Sequence, residues 1–583
     1  MVHDGFRILG APVGTDAFKV AFAMDRVNAI IDAIDTASHM PEIQLQHLLT
    51  SGSLIQRITF LLRNIPGGER SLFQEVMVKY DAAVMDAPRR HARLLVLPPL
   101  ATQLAGLSQS NGGLGYRTWA KTADAAYLAS YVHTSRQFAN MFPQLAPQFP
   151  DALDLPSYDV ALRASPSARY ALRALARIEA AEVAIGLTRA CLTRDRNQPL
   201  RHLQHSLATI VDDAAHLLAT EAISYSDDRS HPRHMAVHLS HCGDPTTMSL
   251  VPRDPQTTFS NADFTTALRR RLLVQLQQLP EDRAGECLTC PTCGERSDQP
   301  YGSTTAPRVD VFGDHALRCS KGSKLRTVWH DGIKYVYAFL AKMAGVSRVL
   351  EPEQMMLFSN DRPDLALHDR LGFFTVVADI RTVVPSNDGE CPGAAATPGH
   401  AAAVGAAAKD SKWVPQATAQ GLSFFALVSE DGGRLGVGAL RFVDLLASHA
   451  GTSVGERKAF VTFALQRLRC ATVKGACALI NNRSPTGIQP GRRCRGLLPL
   501  GEPRPRPAAS QSRVAPPPQA VQPPWLRTEF PAPPLLQRLG PWVEPPYLPG
   551  ALEGTAPPAS PVTGHTTTNT TPFTAEPMRT ALA

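Results

Sequence analysis

The chain has 583 residues, of which 44% are hydrophobic and 19% are charged, and nearly half of its 49 prolines follow Ser484. About 480 residues are therefore able to fold, which suits two or three domains, and the net charge of +8 suits a polyanionic partner. No apolar run approaches the roughly 18 residues of a membrane span and the start lacks a signal-peptide pattern, so we expect neither a membrane protein nor a secreted one.

Residues 1–100 combine a short strand pattern with helices. Residues 6–14 form an apolar run that ends in a Gly/Pro turn and is typical of a strand. Apolar residues then recur at helical spacing, at Val27, Ile30, Ile31 and Ile34. We expect this segment to be the end of a domain that begins earlier in a longer chain.

Residues 101–285 are rich in alanine and leucine and are predicted to be helical. Helical spacing runs through three stretches, residues 127–142, 168–192 and 210–223. Ser260 and Asp263 have the spacing of a capping box, which predicts that a helix begins there. Residues 269–271 are three arginines further along that helix, and we expect them to lie on its solvated face.

Four of the ten cysteines cluster near the middle of the chain, which favours a metal site over a disulfide framework. The C-x2-C pair Cys290 and Cys293 and the H-x3-C pair His315 and Cys319 supply the thiolates and imidazole of a closed, structural Zn²⁺ site. Cys287 repeats the x2 spacing and can replace either neighbouring cysteine. The alternative is a loop with chance cysteines, since 21 residues separate Cys293 from His315.

Two carboxylates, Asp364 and Asp379, follow where a β-hairpin would bring them together. Residues 364–367 and 373–380 are strand-like, and residues 369–372 carry a turn signal between them. Two carboxylates at one end of a sheet can hold Mg²⁺, which activates water and neutralises charge that develops on a phosphate. The alternative is a pair of solvated residues at strand ends.

Basic residues are candidates for two roles. Arg381, Lys409 and Lys412 follow the carboxylates and are candidates to stabilise a leaving oxygen. Residues 89–93 and 321–326 are basic clusters that could contact phosphate, the second directly after the last cysteine of the zinc motif.

The remaining elements complete the pattern. A helix is predicted around residues 328–343, and its apolar members are expected to form core. Residues 422–427 are an apolar strand. Residues 484–583 are rich in Pro, Ala and Thr and are predicted to be disordered.

The order of these motifs resembles the C-terminal part of non-LTR retrotransposon polyproteins that carry a restriction-like endonuclease of the PD-(D/E)XK superfamily. The motifs, in chain order, are the Cys-Cys-His-Cys set, Glu351-Pro352, Arg362-Pro363-Asp364, Asp379-Ile380-Arg381, residues 409–413 and the strand at 422–427. Upstream, residues 6–14 resemble the segment that closes a reverse-transcriptase palm, and residues 112–116 and 125–130 resemble the helical stretch that follows. The resemblance covers roughly residues 5–450.

The resemblance implies roles for individual residues. Asp364 and Asp379 would bind the catalytic Mg²⁺, with Glu351 of a preceding helix as a third acid. Lys409 or Lys412 would be the base or the transition-state cation.

Two departures from the family pattern stand out. Arg381 occupies the usual lysine position, and an arginine can stabilise charge but cannot act as a base because it is always protonated. An insertion between Val384 and Ala408 separates the two lysines from Asp379.

The resemblance also implies an organisation for the whole chain. We expect an α/β protein in which a largely helical half precedes a zinc knuckle and a small mixed-sheet nuclease domain. The predicted segments are a palm-end and thumb remnant at 1–100, a helical connecting region at 101–285, the knuckle at 286–325, the nuclease domain at 326–470 and the tail at 484–583. The expected partners are DNA and, secondarily, element RNA, with no membrane and no small-molecule substrate, at a nuclear or other intracellular location.

Polymerase activity is not expected. No paired aspartates precede Phe6, and the Asp212-Asp213 and Asp227-Asp228 pairs lie in a helical pattern and a polar turn, which favours structural roles. The leading hypothesis is therefore a retrotransposon-derived, metal-dependent DNA endonuclease. A non-catalytic nucleic-acid-binding remnant is the main alternative, and a helical scaffold without metal is a third.

Overall fold

The computed structural model describes residues 4–66, 70–148, 151–153, 166–186, 202–225, 231–243, 247–276, 290, 292–294, 310–319, 321, 323–352, 362–368, 374–387 and 389–483. Four predicted features lie outside these residues: Cys287, Asp227-Asp228, the turn at 369–372 and the tail at 484–583. Within them the protein is mixed α/β and mostly helical, with two small sheets.

The helices are α1 (Asp16–Ser38), α2 (Ile43–Leu49), α3 (Ile58–Asn64), α4 (Arg70–His91), α5 (Pro99–Ala105), α6 (Trp119–Met141), α7 (Pro166–Ala184), α8 (Leu203–Ser224), α9 (His231–His241), α10 (Asn261–Arg271), α11 (Asp314–Arg318), α12 (Ser323–Met343), α13 (Cys391–Ala396), α14 (His400–Ala419), α15 (Val437–Ala450) and α16 (Val454–Arg483). The strands are β1 (Gly5–Ile8), β2 (Ala11–Gly14), β3 (Ser347–Leu350), β4 (Leu365–His368), β5 (Phe374–Val383) and β6 (Ser423–Glu430). In the described residues, no helix combines the length and the apolar character needed to cross a membrane.

The first apolar run is a hairpin rather than a single strand. β1 and β2 pair antiparallel, with Ile8 opposite Ala11. The two residues between them, Leu9 and Gly10, have φ angles of 48° and 86°. Two consecutive positive φ values are typical of the tight turn that matches the twist of a hairpin, and glycine adopts this conformation without strain. The glycine therefore marks the middle of the motif and not its end.

The helical half is built around one extended core. The predicted periodicity in α1 is confirmed, since Val27, Ile30 and Ile34 are buried. They pack in a cluster with residues of α3 to α6 and α10, including Trp119 and Phe264. A smaller cluster joins α6, α7 and α8, as the alanine- and leucine-rich sequence predicts.

The capping box at the start of α10 is confirmed. Ser260 Oγ accepts a hydrogen bond from Asp263 N at 3.1 Å, and the Asp263 carboxylate accepts one from the serine hydroxyl at 2.7 Å. The helix begins at Asn261, directly after the cap. A side-chain acceptor at this position satisfies one of the free N–H groups of the first turn.

The predicted solvated face of α10 is wrong. Arg271 is 1% exposed and donates to the carbonyl oxygens of Gly112 and Gly113 at 3.1 and 2.8 Å. Arg270 is also buried, between Asp314 and Asp431. Arginine tolerates burial here because its donors meet carbonyls and carboxylates that would otherwise lack partners. Arg269 donates to the carbonyl oxygens of Ala92 and Arg93, both at 2.7 Å, so all three arginines join α10 to distant segments.

The second sheet has the strand order β3-β4-β5-β6. The predicted hairpin is confirmed, because β4 and β5 pair antiparallel with Leu365 opposite Ala378. β5 and β6 run parallel. Alternate residues of β5 face opposite layers: Ala378 and Ile380 join a core with α12, α15 and α16, whereas Val377 packs near Trp413 of α14.

The insertion between β5 and the lysines is folded. It forms α13 and the first two turns of α14, which packs on β5 and β6. The predicted helix near residues 328–343 is confirmed as α12, whose apolar members Ile333, Val336, Tyr337 and Leu340 are buried. Helices α12 and α14 lie on opposite faces of the sheet. Each brings polar residues to the place where β4 begins beside β5.

Candidate metal centre and carboxylate site

The segment around α11 positions two of the four predicted zinc ligands. Asp310 folds the chain back on itself: its carboxylate accepts hydrogen bonds from the backbone N–H groups of Phe312 at 2.8 Å, Asp314 at 3.1 Å and His315 at 2.8 Å. A single acid thus satisfies three donors at the start of a five-residue helix. His315 stands in the first turn of that helix, and Cys319 follows its end.

The structure brings Cys290, Cys293, His315 and Cys319 together, with their ligand atoms all within 4.8 Å of one another. The Sγ atoms of Cys290 and Cys319 are 3.9 Å apart, and Cys293 Sγ is 3.4 Å from His315 Nε2. Bonds of about 2.3 Å to sulfur and 2.0–2.1 Å to nitrogen place the ligands of a tetrahedral Zn²⁺ about 3.3–3.8 Å apart. The Cys₃His set can therefore hold a metal such as zinc.

The local backbone supports thiolate character in this set. Burial opposes ionisation of Cys290, but the N–H groups of Cys293 and Thr292 point at its sulfur and lower the pKa of Cys290 to about 7. A turn that aims two N–H groups at a cysteine sulfur stabilises the form that binds metal. The C-x2-C spacing produces this turn, since Gly294 N also donates to Cys290 O at 2.9 Å.

The two predicted carboxylates lie side by side. Asp364 precedes Leu365, which pairs with Ala378, so the antiparallel register sets Asp364 opposite Asp379. Asp364 Oδ2 accepts hydrogen bonds from Ile380 N at 2.7 Å and from His330 Nε2 at 3.2 Å. The pair is largely buried, and Asp379 is 4% exposed.

The pair has unequal proton affinities. Burial favours the protonated form of Asp364, but hydrogen bonds from His330 and Ile380 outweigh it and hold the pKa of Asp364 below its usual value. Burial and the neighbouring charge of Asp364 raise the pKa of Asp379, and Lys409 offsets only part of the rise. Close carboxylates behave in this way because both cannot ionise freely without a cation between or beside them.

Of the two candidate lysines, Lys409 reaches the pair. Its Nζ forms an ion pair with Asp379 Oδ2, to which Trp413 Nε1 also donates at 3.0 Å. Lys409 and Trp413 are four residues apart on α14 and so lie on one face of the helix. Lys412 points elsewhere, with its Nζ 4.8 Å from the centre of the Trp413 ring. The insertion before α14 therefore does not displace Lys409 from the site.

Of the two remaining predicted site residues, Arg381 lies close to the carboxylate pair and Glu351 has another partner. Arg381 is two residues beyond Asp379 on the same face of β5 and lines the cleft described below. We expected Glu351 on a helix, but it follows the end of β3 and has a φ of 45°. Its carboxylate pairs with Lys334 of α12 and not with the two aspartates.

His330 is a site residue that sequence reasoning missed. It lies on α12, directly after the buried Trp329 and four residues before Lys334, which pairs with Glu351. Burial lowers the pKa of His330, but the bond to Asp364 and the charge of Asp364 raise it above the usual value. The one signal in the sequence is a histidine on the polar side of a strongly amphipathic helix, which fits many exposed residues equally well.

A cleft of about 450 Å³ opens beside His330 at the carboxyl end of β5. Arg318, Arg326 and Arg381 line it, and Glu390 is the one acid among the described lining residues. The basic cluster predicted at 321–326 thus contributes Arg326 to the wall of this cleft. Three guanidinium groups around one opening create a local potential that attracts anions.

The other predicted basic cluster, residues 89–93, is partly engaged within the protein. His91 is buried, and its Nδ1 lies 2.7 Å from the Tyr116 hydroxyl. Arg89 and Arg90 both pair with Asp86 of the same helix. Asp212, of the first aspartate pair, is likewise engaged with Arg117 at 2.6 Å.

Comparison with known proteins adds no relative: neither the protein-family models nor the curated proteins gave a match. A function can therefore be inferred only from the geometry of the two sites and the order of the sequence motifs.

Proposed function

We propose that this chain is a retrotransposon-derived, metal-dependent DNA endonuclease that nicks its target. The observation that carries the proposal is the buried pair Asp364 and Asp379 with the Lys409 ammonium against it. Adjacent carboxylates with a cation at the same place are the groups that metal-assisted cleavage of a phosphodiester requires. The order of motifs in the sequence supports the same conclusion.

The donor set fits Mg²⁺ and not a softer metal. Mg²⁺ prefers oxygen ligands, is commonly held by one or two carboxylates, and keeps several waters. Asp364 and Asp379 supply such oxygens, whereas the thiolates of the Cys₃His set would select zinc. Bound there, Mg²⁺ would lower the pKa of an attached water and neutralise charge on the phosphate.

The surrounding residues have separate tasks in this proposal. His330 and the Ile380 N–H hold Asp364 in its ionised form, and Trp413 orients Asp379. Lys409 is the group in place to stabilise the developing negative charge or to transfer a proton. Arg381 can contribute charge but not base catalysis, since its guanidinium remains protonated.

DNA would bind along the basic cleft. Arg318, Arg326 and Arg381 line one opening that reaches His330, and His330 contacts Asp364. Phosphates held by these arginines would therefore approach the carboxylate pair from the side of His330. Arg318 belongs to α11, directly between the two ligands His315 and Cys319. A metal in the Cys₃His set would therefore fix the direction in which Arg318 projects.

A second candidate function is a non-catalytic nucleic-acid-binding remnant. One observation favours it: the Asp379 oxygen that faces the site is already bonded to both Lys409 and Trp413. A carboxylate that is satisfied by protein groups does not need a metal, and Arg381 replaces the lysine usual in the family it resembles.

A nicking assay separates the two functions. Full-length protein with Mg²⁺ or Mn²⁺ should convert supercoiled plasmid to the relaxed form, and Asp364→Asn or Asp379→Asn should lower the rate at least about 10³-fold. DNA affinity, measured by fluorescence anisotropy, should stay within about threefold in both variants. Asp410→Asn is the matched control, because Asp410 is an exposed acid next to Lys409 on α14.

Two results would contradict the endonuclease. DNA binding without nicking by the unchanged chain would establish the remnant instead. Equal nicking by the unchanged chain and by both aspartate variants would assign the activity to a contaminant.

A further inference from the structure

A second group of metal-ligand side chains lies in the helical half, far in sequence from the Cys₃His set. His216 of α8, His238 of α9 and Cys242, the residue directly after α9, bring their ligand atoms within 4.8 Å of one another. His238 and Cys242 are four residues apart, and Cys242 Sγ lies 3.8 Å from His238 Nε2. Both are buried, and His216 is half-buried.

The distances within this group match those of a metal site. His216 Nδ1 is 3.4 Å from His238 Nε2, and Cys242 Sγ is 3.8 Å from the same nitrogen. In a tetrahedral zinc site two nitrogen ligands lie about 3.3 Å apart and a nitrogen and a sulfur about 3.6 Å apart. Cys242 Sγ also lies 3.4 Å from His238 O, a bond that a helical thiol makes without any metal. That bond does not account for the convergence of the two imidazoles.

We propose that His216, His238 and Cys242 form a second zinc site that ties α8 to α9. Two imidazoles and one thiolate are ligands of intermediate softness and select zinc over Mg²⁺ or Ca²⁺. The described residues supply three of the four ligands of a tetrahedral site. This inference is independent of the proposed endonuclease.

The glycines at 112 and 113 are placed to build this site. Gly112 has a φ of 77°, and a Cβ there would lie 2.8 Å from His238 Cε1 and 3.1 Å from Cys242 Sγ. Any side chain would displace the ligands, so the backbone itself forms the wall. The buried Arg271 holds the carbonyls of Gly112 and Gly113 in place. Gly112 and Gly113 belong to the segment 112–116, to which the endonuclease proposal assigns no role. Their local role is to form the wall of this group.

The end of α9 is fixed independently. Arg434 donates to the carbonyls of Leu239 at 3.0 Å and Cys242 at 2.5 Å, which satisfies acceptors in the last turn. The backbone around His238 and Cys242 is therefore held in place, as is required of the ligands of a preformed site. Asp213 contributes a negative charge close to His216.

Zinc content of the full-length chain tests the proposal. After dialysis against metal-free buffer, the unchanged protein should retain about two equivalents of zinc. Cys242→Ser and His216→Gln should each retain about one, and so should Cys293→Ser, which removes the other set. His205→Gln is the matched control, since His205 is an exposed histidine of the same helix α8 and its loss should leave two equivalents.

Cobalt substitution identifies the ligands. Cobalt-loaded Cys293→Ser keeps one thiolate ligand and cobalt-loaded Cys242→Ser keeps three. The sulfur-to-cobalt absorption of the first should be about a third of that of the second. One equivalent in the unchanged protein that Cys293→Ser loses and Cys242→Ser keeps, or two equivalents in both Cys242→Ser and His216→Gln, would overturn the site. His216 is half-buried, so its variant gives the answer even where Cys242→Ser does not fold.

Discussion

The Cys₃His set and the Asp364–Asp379 pair differ in what balances their charge. In the carboxylate site, Lys409, His330, Trp413 and a backbone N–H already surround the two acids. In the Cys₃His set the contacts of the sulfurs include the other ligands and backbone N–H groups. Protein groups can neutralise the two carboxylates, whereas three thiolates brought together need a metal cation or protons to reduce their mutual repulsion.

Proximity of possible ligands therefore does not by itself identify a metal site. Protein cations can neutralise a carboxylate pair, so the pair is evidence for Mg²⁺ only if nicking depends on the ion. Few protein groups can take the place of a metal among thiolates, so a tetrahedral set of the right dimensions is stronger evidence by itself.

The largest effect is expected at the Cys₃His set. Cys293→Ser should lose one equivalent of zinc and the hydrogen-exchange protection of residues 310–319, because structural zinc contributes on the order of 10 kcal/mol to such segments. Cys391→Ser, which changes a partly exposed cysteine outside the set, should lose neither. Unchanged protection in Cys293→Ser would mean that the segment folds without metal.

The next effect concerns the two lysines of α14. Lys409→Met should reduce the nicking rate about 10²–10³-fold, or about 3–4 kcal/mol, because it removes the cation beside Asp379. Lys412→Met should stay within about threefold, since Lys412 packs over Trp413 instead. Equal losses in the two variants would indicate a general contribution of charge to DNA binding.

A third test uses a buried acid of the same sheet that has no proposed metal. Burial raises the pKa of Glu430 to about 7, against the hydrogen bond from Ala402 N and the charge of Arg434. The folded protein thus binds this proton more tightly than the unfolded chain, so the stabilisation is complete below about pH 4.5 and is lost as the pH rises through about 7.

Glu430→Gln should remove the loss of stability that accompanies ionisation of Glu430 at high pH. Relative to the unchanged protein, its free energy of unfolding should rise by about 3 kcal/mol between pH 4.5 and pH 8, as denaturant titrations would measure. Mg²⁺ should not alter this difference. A variant that tracks the unchanged protein at every pH would show that Glu430 ionises freely.

The smallest effect is expected from Trp413→Phe. It removes the donor to the Asp379 carboxylate and should cost about 2 kcal/mol of stability, as for hydrogen bonds to charged groups. Trp329→Phe is the matched variant: its Nε1 donates to the neutral Thr472 carbonyl at 3.0 Å, so about 1 kcal/mol is expected. Only the first variant should also change the Mg²⁺ dependence of nicking.

Sequence periodicity and spacing predicted the local structure well. The capping box, the amphipathic helices α1 and α12, and the hairpin of β4 and β5 follow from patterns within a few residues. The Cys₃His group follows from ligand chemistry, since few other arrangements explain clustered cysteines in a chain that has so few.

Long-range partners could not be predicted in the same way. The arginines of α10 look like a solvated face until Asp314 and Asp431 are brought to them from 44 and 161 residues away. His330, Trp413 and the His216–His238–Cys242 group likewise depend on how helices pack. No local pattern encodes such pairings, because Arg and His are also common on exposed helix faces.

The last helix, α16, has a consequence for how this chain can be divided. Its residues Cys470, Val473 and Cys477 belong to the core of the helical half, whereas Phe460, Leu468 and Ala476 belong to the core beneath the sheet. A boundary drawn near residue 285 would therefore divide both cores, because Leu276 packs in the second core and α16 contributes to the first. Removal of the sheet region together with α16 would expose the core of the helical half, so each half depends on the other for its packing.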